Sequence, residues 1–490
     1  MKRILIAALA AAAALMILWL IPQNPALPEA SDVFTQAARG LDDIAIEAVL
    51  DTDAHSMRVR QTLRLRNRTG QSLNAAVLRT WPNAFQTLDT SPCAQDDSLY
   101  DAYYPGGFSA GALVMAHAEV DGGAVVYRYT DAAKTVLSIP VPGGWQPEAE
   151  TVIQLEYTLQ IPRMAYRFGE WDGIWALGNA FAIPAVWEDG AFRTDAYAPV
   201  GDPFVSDCAN YAVTVTVPRG FICAGSASPA VEMADGQSIY RFSAPAVRDF
   251  ALVISDRFHT AQALEDDVLL TAYAADAALA RELLGYAKKA LSCYEKRFGP
   301  YPYQSLALAE IHFPHGGMEY PSLTMISADG KDKRALEYLV AHEVAHQWWY
   351  AVVGSDGWHQ AWQDEALCEF SLFEYAQDLY GAGEREDLEF ARAHSAMRVT
   401  VSQGQTPGAP LTAFPTMSEY ALVVYDRGAA CMLALDMAIP GGLDGFLRDY
   451  YQTYAFLRAS RADFEALLTE STGEDFAPLM RDYLDTHILN

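Results

Sequence analysis

The pattern of hydrophobic and polar positions divides the chain into two parts. In the first part, from about residue 31 to 258, apolar and polar residues alternate over short stretches, which is typical of strands that bury one face. The clearest alternating stretches are 57–60, 63–66, 152–161 and 211–217. Glycine-rich segments, predicted to be breaks between strands, lie at 105–107, 121–123 and 142–144. The pattern therefore predicts an antiparallel β domain over residues 31–258.

Longer segments with helical spacing dominate from residue 259 onwards. The predicted helices are 274–297, 335–350 and 364–380, with a predicted strand at 305–311. The remainder to residue 490 is predicted to be mostly helical. The expected fold class is thus multi-domain α+β, with an N-terminal antiparallel β domain followed by a mainly helical domain over residues 259–490.

Residues 1–30 carry the pattern of a targeting segment. Lys2 and Arg3 precede an apolar run from residue 4 to 21, which is just long enough to cross a bilayer. An uncleaved N-terminal membrane anchor is the preferred interpretation, and secretion after cleavage of a signal peptide is the alternative. Both interpretations place the rest of the protein outside the cytoplasm.

The composition excludes some classes of function. The chain has 490 residues, 51% of them hydrophobic, and 34 basic against 62 acidic residues give a net charge of −28. That much apolar material excludes wholesale disorder. The negative charge argues against nucleic acid as a partner, because phosphate backbones need clustered Lys and Arg. It is compatible with cationic ligands such as free amino termini.

One short motif points to metal chemistry. His342 and His346 stand four residues apart in a predicted helix, so both imidazoles project from one face and can share a cation. Glu343 lies beside the first of them. Glu365 follows His346 by 365 − 346 = 19 residues and begins the next predicted helix, from which a carboxylate can face the pair. Such a Glu could otherwise be only an acidic residue that stabilises the helix dipole, but the spacing favours a third ligand, and zinc suits this donor set.

Further motifs give the chain a family resemblance. In chain order, these motifs are GGMEY at 316–320, HEVAHQWW at 342–349, Glu365, and YDRG at 425–428. These motifs, in this order, resemble the gluzincins, and within them the zinc aminopeptidase family that includes alanyl aminopeptidases and leukotriene hydrolase. The resemblance implies a thermolysin-like catalytic domain after the β domain. It also implies a short member, without the large C-terminal helical domain usual in the family.

The resemblance also implies roles for individual residues. His342, His346 and Glu365 would bind one Zn²⁺. Glu343 would be the general base that takes a proton from the zinc-activated water and passes it to the leaving amine. Tyr425 would donate a hydrogen bond to the oxyanion of the tetrahedral intermediate.

The motif at 316–320 would bind the substrate. In the family, the residue matching Glu319 binds the free α-amine of a peptide, which is cationic near neutral pH. Gly316, Gly317 and Met318 would let the backbone run close to the substrate and pair with it as a strand. The expected partners are therefore peptides with a free N-terminus, and the expected activity is removal of N-terminal residues.

The chain also departs from the family pattern. Tyr320 stands where the family has Asn, which affects the expected geometry of amine recognition. Asn179 is a candidate for the amine contact that the family takes from its β domain. Glu369, one helical turn after Glu365, either holds a zinc-binding His in one tautomer or is a solvated helix residue.

Two other functions remain open at this stage. Without a covering C-terminal domain the cleft could admit longer peptides, so a zinc endopeptidase with an open cleft is the first alternative. A surface binding protein with a vestigial peptidase site is the second. That hypothesis requires a broken catalytic position, and the sequence contains none among the positions named above.

Overall fold

The computed structural model describes residues 32–95, 99–398 and 404–486. The predicted targeting segment, residues 1–30, lies outside these ranges. None of the helices within them combines the length and the apolar content that a bilayer crossing requires.

An eight-stranded sheet dominates the N-terminal domain. Its strands, in spatial order, are β16 (Ala230–Ala234), β17 (Gln237–Val247), β14 (Ala209–Pro218), β1 (Asp42–Asp51), β2 (Ser56–Arg66), β8 (Glu150–Gln160), β4 (Ala112–Val120) and β5 (Gly123–Ala124). Neighbours are antiparallel except for the pair β1 and β14, which is parallel. Strand β2 joins two of the predicted stretches, and its buried and exposed residues alternate as expected.

Smaller sheets pack against this one. One four-stranded sheet contains β15 (Ile222–Gly225), β18 (Leu252–Ser255), β10 (Ile174–Leu177) and β9 (Phe168–Trp171). The other contains β11 (Ile183–Pro184), β3 (Leu73–Arg79), β7 (Val136–Trp145) and β6 (Arg128–Tyr129), and a hairpin pairs β12 (Trp187–Glu188) with β13 (Ala191–Phe192). The predicted break at 142–144 is wrong, because these residues lie inside β7. Gly143 and Gly144 adopt φ of +82° and +83° where the pairing with β3 shifts register, so they form an irregularity within the strand.

The C-terminal domain combines a five-stranded sheet with helices. In spatial order the strands are β19 (His259–Glu265), β20 (Val268–Ala274), β21 (Ser305–Glu310), β23 (Leu323–Ile326) and β22 (Gly317–Met318). The helices of the described chain are α1 (Asp32–Ala37) and α2 (Tyr100–Tyr103) in the β domain, then α3 (Ala277–Phe298), α4 (Lys333–Ala345), α5 (Trp362–Tyr380), α6 (Ala382–Arg398), α7 (Met417–Tyr420), α8 (Gly428–Ala438), α9 (Asp444–Tyr454), α10 (Arg461–Thr472) and α11 (Ala477–Leu484). Short 3₁₀ turns lie at Trp81–Phe85, Pro92–Ala94 and Leu411–Ala413, and a π-helical segment lies at Ala421–Arg427.

The predicted fold class is confirmed: an antiparallel β domain precedes a mainly helical domain. The domain boundaries at 31–258 and 259–490 stay predictions, although β19 begins at His259. The helix predicted over 335–350 ends at Ala345, and His346 is its C-cap residue. After His346 the chain continues in hydrogen-bonded turns, in which the N–H groups of Gln347 and Trp348 bond to the carbonyls of Val344 and Ala345, and a short bridge then joins Trp349 and Val353.

A buried arginine joins the two domains. The guanidinium of Arg248, in the β domain, donates hydrogen bonds to the carbonyl oxygens of Tyr350 at 2.7 Å and Val352 at 3.1 Å. It also donates to the carbonyl oxygens of Ser206, at 3.1 Å, and Leu457. Because Tyr350 and Val352 follow the end of α4 directly, this contact fixes the motif helix against the β domain.

Candidate metal centre and active site

The two histidines of the motif converge at the end of α4. The helix begins cleanly, because Asp332 caps it by accepting a hydrogen bond from the backbone N–H of Ala335 at 2.9 Å. His342 and His346 are both buried. Their Nε2 atoms lie 3.2 Å apart, so both nitrogens point to the same small volume.

Glu365 completes a triangle of donors from the first turn of α5. Its Oε2 lies 3.3 Å from Nε2 of His342 and 3.4 Å from Nε2 of His346. Tetrahedral ligands bound at zinc distances are about 3.3 Å from one another, so one ion fits all three donors. Burial alone would raise the pKa of Glu365, but the two imidazoles outweigh it and hold the pKa at about 2. The residues therefore form a cluster that can bind a metal ion, with an anionic third ligand.

Carboxylates behind the imidazoles orient them. His346 Nδ1 forms a short hydrogen bond with Asp364 Oδ1. His342 Nδ1 lies 3.2 Å from Glu369 Oε1, and Arg392 holds that carboxylate through a 2.7 Å ion pair. Such contacts fix the ring orientation and the tautomer of a metal-binding His. Of the two interpretations of Glu369, these contacts favour the orienting one.

Glu343 lies next to the donor triangle and is free to act on a small molecule there. The side chain is buried, and its Oε2 has no hydrogen-bond partner among the described residues. Burial raises the pKa of Glu343 to about 7, which suits a group that takes up and releases a proton near neutral pH. Gly317 passes so close that a Cβ there would overlap the Glu343 carboxyl. Glycine is therefore required at 317.

The segment that contains Gly317 is the outermost strand of its sheet. Strand β22 pairs with β23 on one side, Gly317 opposite Ile326 and Met318 opposite Met325. Gly316 precedes it with φ of +111°, a conformation that favours glycine. Glu319 follows it and is buried, with Oε1 unpartnered among the described residues. Burial, and after it the charge of Asp202, raises the pKa of Glu319 well above its usual value.

Tyr425 lies beside the donor triangle, in the π-helical segment. Its ring stacks on that of His342, with centroids 5.7 Å apart and planes inclined by 15°. Burial, and then the charge of Glu365, raises the pKa of Tyr425 well above its usual value. The hydroxyl therefore keeps its proton and can donate a hydrogen bond. π-Helical turns often occur at functional sites.

A single cavity of about 540 Å³ collects most of these groups. Seven of the nine predicted site residues line it, namely Gly317, Glu319, His342, Glu343, His346, Glu365 and Tyr425. Met318 lies in the edge strand and Gly316 directly before it, and neither residue lines the cavity. The structure thus brings the predicted metal, base, oxyanion and amine groups to one place.

The cavity also contains charged residues that the sequence motifs did not reveal. Asp202 and Arg167 reach it from the β domain and form a close ion pair, and Arg392 reaches it from α6. None of the sequence motifs contains these residues, and Arg167 and Asp202 also lie far along the chain from all of the motifs. Asn179, the candidate for the amine contact, was predicted wrongly. It lies outside the cavity wall, where its side chain bonds to Tyr320 and Asp249.

A pair of imidazoles from one helix, a carboxylate from the next and a buried Glu beside them form the arrangement typical of gluzincin metallopeptidases. Comparison with known families agrees: residues 283–483 match the model of the Peptidase family M1 domain. The predicted family resemblance is thereby confirmed.

Curated relatives align with parts of the chain. Aminopeptidase B of Rattus norvegicus is 26% identical over 325 residues, which cover 61% of this chain and 49% of the relative. Leukotriene A-4 hydrolase of Xenopus laevis is 28% identical over 196 residues, which cover 37% of this chain and 31% of the relative. The chain thus spans no more than about half the length of these relatives.

Solved structures share the fold over nearly the whole chain. An M1 zinc metallopeptidase from Deinococcus radiodurans superposes with a TM-score of 0.66 at 17% identity, covering 95% of this chain and 97% of its own. A mutant of that protein bound to a Tyr-Ser-Ala substrate gives the same TM-score at 17% identity, covering 92% and 95%. Native yeast LTA4 hydrolase gives 0.67 at 13% identity, covering 92% of this chain and 68% of its own. At these identities the likeness establishes the fold.

Proposed function

We propose that the protein is a zinc-dependent aminopeptidase that removes N-terminal residues from peptides. The observation that carries the proposal is the cavity in which the donor triangle of His342, His346 and Glu365 lies beside two buried carboxylates. Each of these, Glu343 and Glu319, has one oxygen without a hydrogen-bond partner among the described residues. One carboxylate is available to move a proton, and the other to bind a cation. The aminopeptidase relatives and the tripeptide bound to the Deinococcus neighbour support the same activity.

Zinc, when bound by the donor triangle, would polarise the reacting groups and make hydroxide available near neutral pH. The protein's own groups account for the remaining chemistry. Oε2 of Glu343 accepts the proton of the attacking water and passes it to the nitrogen of the leaving amine. The hydroxyl of Tyr425 donates a hydrogen bond to the oxygen that becomes negative in the transition state. Asp364 and Glu369 keep the imidazoles in the orientation that this requires.

The restriction to N-termini is ascribed to Glu319. Its carboxylate is buried, its Oε1 has no hydrogen-bond partner among the described residues, and it is close enough to Asp202 for the two charges to oppose each other. A cationic α-ammonium group between them would relieve this repulsion and satisfy Oε1. Arg167 and Arg392 are already paired with Asp202 and with Glu369 and Asp426. The cavity therefore favours an added positive charge.

The decisive experiment compares an aminoacyl reporter peptide with its N-acetylated form, with and without a zinc chelator. We expect rapid cleavage of the free-amine peptide, little cleavage of the acetylated one, and loss of activity on chelation that added zinc restores. Equal cleavage of both peptides would contradict the aminopeptidase assignment and favour the zinc endopeptidase. Cleavage that survives complete removal of metal would contradict the metal assignment.

A variant separates the amine site from the metal site. Glu319→Gln keeps the shape of the side chain but removes its charge, so we expect preference for the free amine to fall while zinc content stays the same. Glu310→Gln, on the same sheet but outside the cavity wall, is the matched control and is expected to keep the preference. A Glu319→Gln variant with undiminished preference would contradict the role of this carboxylate.

We also propose that the protein acts outside the cytoplasm, held at a membrane by residues 1–30. The support is the sequence alone, in which Lys2 and Arg3 precede the apolar run 4–21. Cell fractionation followed by protease treatment of intact cells tests this. Membrane-bound, protease-accessible protein is expected, a shortened form in the medium would favour the secreted alternative, and a cytosolic location would contradict both.

A further inference from the structure

The residue after Glu319 is anchored in the opposite domain. The side chain of Tyr320 is fully buried, and its hydroxyl donates a hydrogen bond to Oδ1 of Asn179 at 2.6 Å. Nδ2 of Asn179 donates to Oδ2 of Asp249 at 2.7 Å, and Oδ1 of Asp249 accepts the backbone N–H of Phe250 at 2.7 Å. A continuous hydrogen-bonded chain therefore runs from the substrate-binding segment into the β domain.

The β domain is shaped to receive this hydroxyl. A Cβ at position 178 would overlap the end of the Tyr320 side chain, so only Gly178 leaves room for it. Asn179 adopts φ of +51°, a left-handed conformation that Asn tolerates better than most residues. A glycine that leaves space for the side chain and an Asn with positive φ thus meet at one tyrosine hydroxyl. The tyrosine is matched to its surroundings, although the position carries Asn in the family that the sequence resembles.

The backbone of Tyr320 is fixed to the metal-binding helix at the same time. Its carbonyl oxygen accepts a hydrogen bond from Nε2 of Gln347 at 3.2 Å, and Oε1 of Gln347 accepts the N–H of Ser322 at 2.8 Å. Gln347 directly follows His346. Tyr320 is therefore tied by its main chain to the metal site and by its side chain to the β domain.

Glu319 needs such support from its neighbours. The carboxylate is buried, and its Oε1 has no partner among the described residues. The charge of Asp202 opposes that of the Glu319 carboxylate, so this neighbour does not help to hold Glu319 in place. On the other side, Arg167 contacts Sδ of Met318 at 3.0 Å. Residues on both sides of Glu319 are thus held from the β domain.

We propose that Tyr320 is a positioning residue for amine recognition. Its hydroxyl, held by Asn179 and Asp249, keeps the carboxylate of Glu319 at the place where the α-amine of the substrate binds. The inference rests on the proposed aminopeptidase function and adds to it a residue that does not touch the substrate. In this protein, discrimination in favour of free N-termini depends on contact between the two domains.

The test measures binding in zinc-loaded protein that carries Glu343→Gln, so that peptide is not consumed. Calorimetry gives Kd for trialanine and for N-acetyl-trialanine, with and without Tyr320→Phe. We expect Tyr320→Phe to weaken the binding of trialanine about three- to tenfold, the effect of one lost buried hydrogen bond, and to leave the acetylated peptide unaffected. With Glu343 restored, KM for free-amine peptides rises while kcat stays within about twofold.

Two further variants separate positioning from general stability. Tyr303→Phe also removes a buried interdomain hydrogen bond, since the Tyr303 hydroxyl donates to the carbonyl oxygen of Ala246 at 3.1 Å, and it is expected to leave both Kd values unchanged. Asn179→Gly removes the acceptor while permitting the positive φ. It should weaken trialanine binding as Tyr320→Phe does, and the double variant should add nothing further.

The outcomes distinguish this inference from the function on which it rests. If the parent protein binds both peptides equally, the aminopeptidase proposal fails and the positioning role fails with it. If the parent prefers trialanine and Tyr320→Phe keeps that preference in full, only the positioning role fails. Equal weakening of both peptides by Tyr320→Phe would likewise reduce Tyr320 to a structural residue.

Discussion

At the scale of single residues, the site depends on buried charges with incomplete partners. Glu343 and Glu319 each leave one carboxylate oxygen without a hydrogen bond among the described residues. A native protein tolerates such groups where a ligand or a reaction satisfies them. His342 and His346 each have a carboxylate behind the ring, but Nδ1 of His342 and Oε2 of Glu365 also lack a hydrogen bond among the described residues. Unpartnered buried atoms therefore occur among the candidate metal ligands as well as among the groups that meet water or substrate.

The proton-transfer role of Glu343 gives the first prediction. Glu343→Gln keeps the size of the side chain but cannot accept a proton, so we expect kcat to fall by about 10²- to 10⁴-fold with zinc content unchanged. Metal analysis and peptide turnover check this. Glu337→Gln, on the same helix but paired with Lys289 and Tyr375, should keep its activity, and unaltered turnover in Glu343→Gln would refute the assigned base.

The contact between Asp364 and His346 gives the second prediction. Asp364→Ala leaves His346 Nδ1 without its carboxylate, so we expect zinc affinity to fall about 10- to 100-fold. Competition with a chelator of known affinity measures the change. Asp378→Ala, on the same helix but paired with Arg297, is the control. Equal affinities in the two variants would show that Asp364 does not support the metal.

At the scale of elements, close packing between α5 and the first residue of α8, which directly follows the π-helical segment, sets the position of Tyr425. A Cβ at Gly428 would lie 2.8 Å from Cβ of Ala366, the residue after the metal ligand Glu365. Glycine at 428 therefore allows the two elements to approach each other. The spacing between Glu365 and Tyr425 depends on the absence of one methyl group.

This packing predicts the effect of an added methyl group. Gly428→Ala should push the segment that carries Tyr425 away from α5 and lower kcat by about tenfold or more, up to the 10²- to 10³-fold cost of losing an oxyanion donor. Ala366→Gly in the same protein should restore much of the loss, because it removes the opposing methyl group. Gly445→Ala, with open space around its Cβ, should have no effect. Failure of Ala366→Gly to rescue would contradict the steric explanation.

At the scale of the whole molecule, the β domain contributes to the site rather than merely preceding it. Asp202 and Arg167 reach the cavity from the β domain, Asn179 holds Tyr320, and Arg248 binds the backbone after α4. These contacts come from separate segments of the β domain. Correct docking of the two domains is therefore a condition for the geometry of the cavity.

The role of Arg248 in docking gives the fourth prediction. Arg248→Met removes a donor from four carbonyl groups. Those of Val352 and Leu457 keep the backbone N–H groups of Phe456 and Gly354, so two buried carbonyls lose their donor and we expect the free energy of unfolding to fall by about 3 kcal/mol. Urea denaturation followed by circular dichroism measures this. Arg257→Met, which removes an exposed contact with Asp172, should change stability by less than about 0.5 kcal/mol. Similar values for the two variants would show that Arg248 is not essential for docking.

The sequence predicted what depends on local spacing. His342, His346 and Glu365 lie on two consecutive helices, so their convergence follows from helix geometry and the intervening length. Other features depend on contacts that no local pattern encodes. The charge of Asp202 acts on Glu319 only because the two domains pack together. Similarly, β1 pairs in parallel with β14, which lies far along the chain. The helix end at Ala345 was missed because no Gly or Pro marks it.

The burial of α5 has a consequence for the empty protein. Every side chain from Trp362 to Ala376 is buried, so packing against the rest of the domain, and not the cation alone, holds this helix in place. Small zinc domains unfold when their ion is removed, whereas here the donor triangle of His342, His346 and Glu365 is expected to keep its arrangement. Such a site can exchange one divalent ion for another without refolding. The ion bound in a cell would then depend on which divalent ions are available there and on how tightly the site binds each of them.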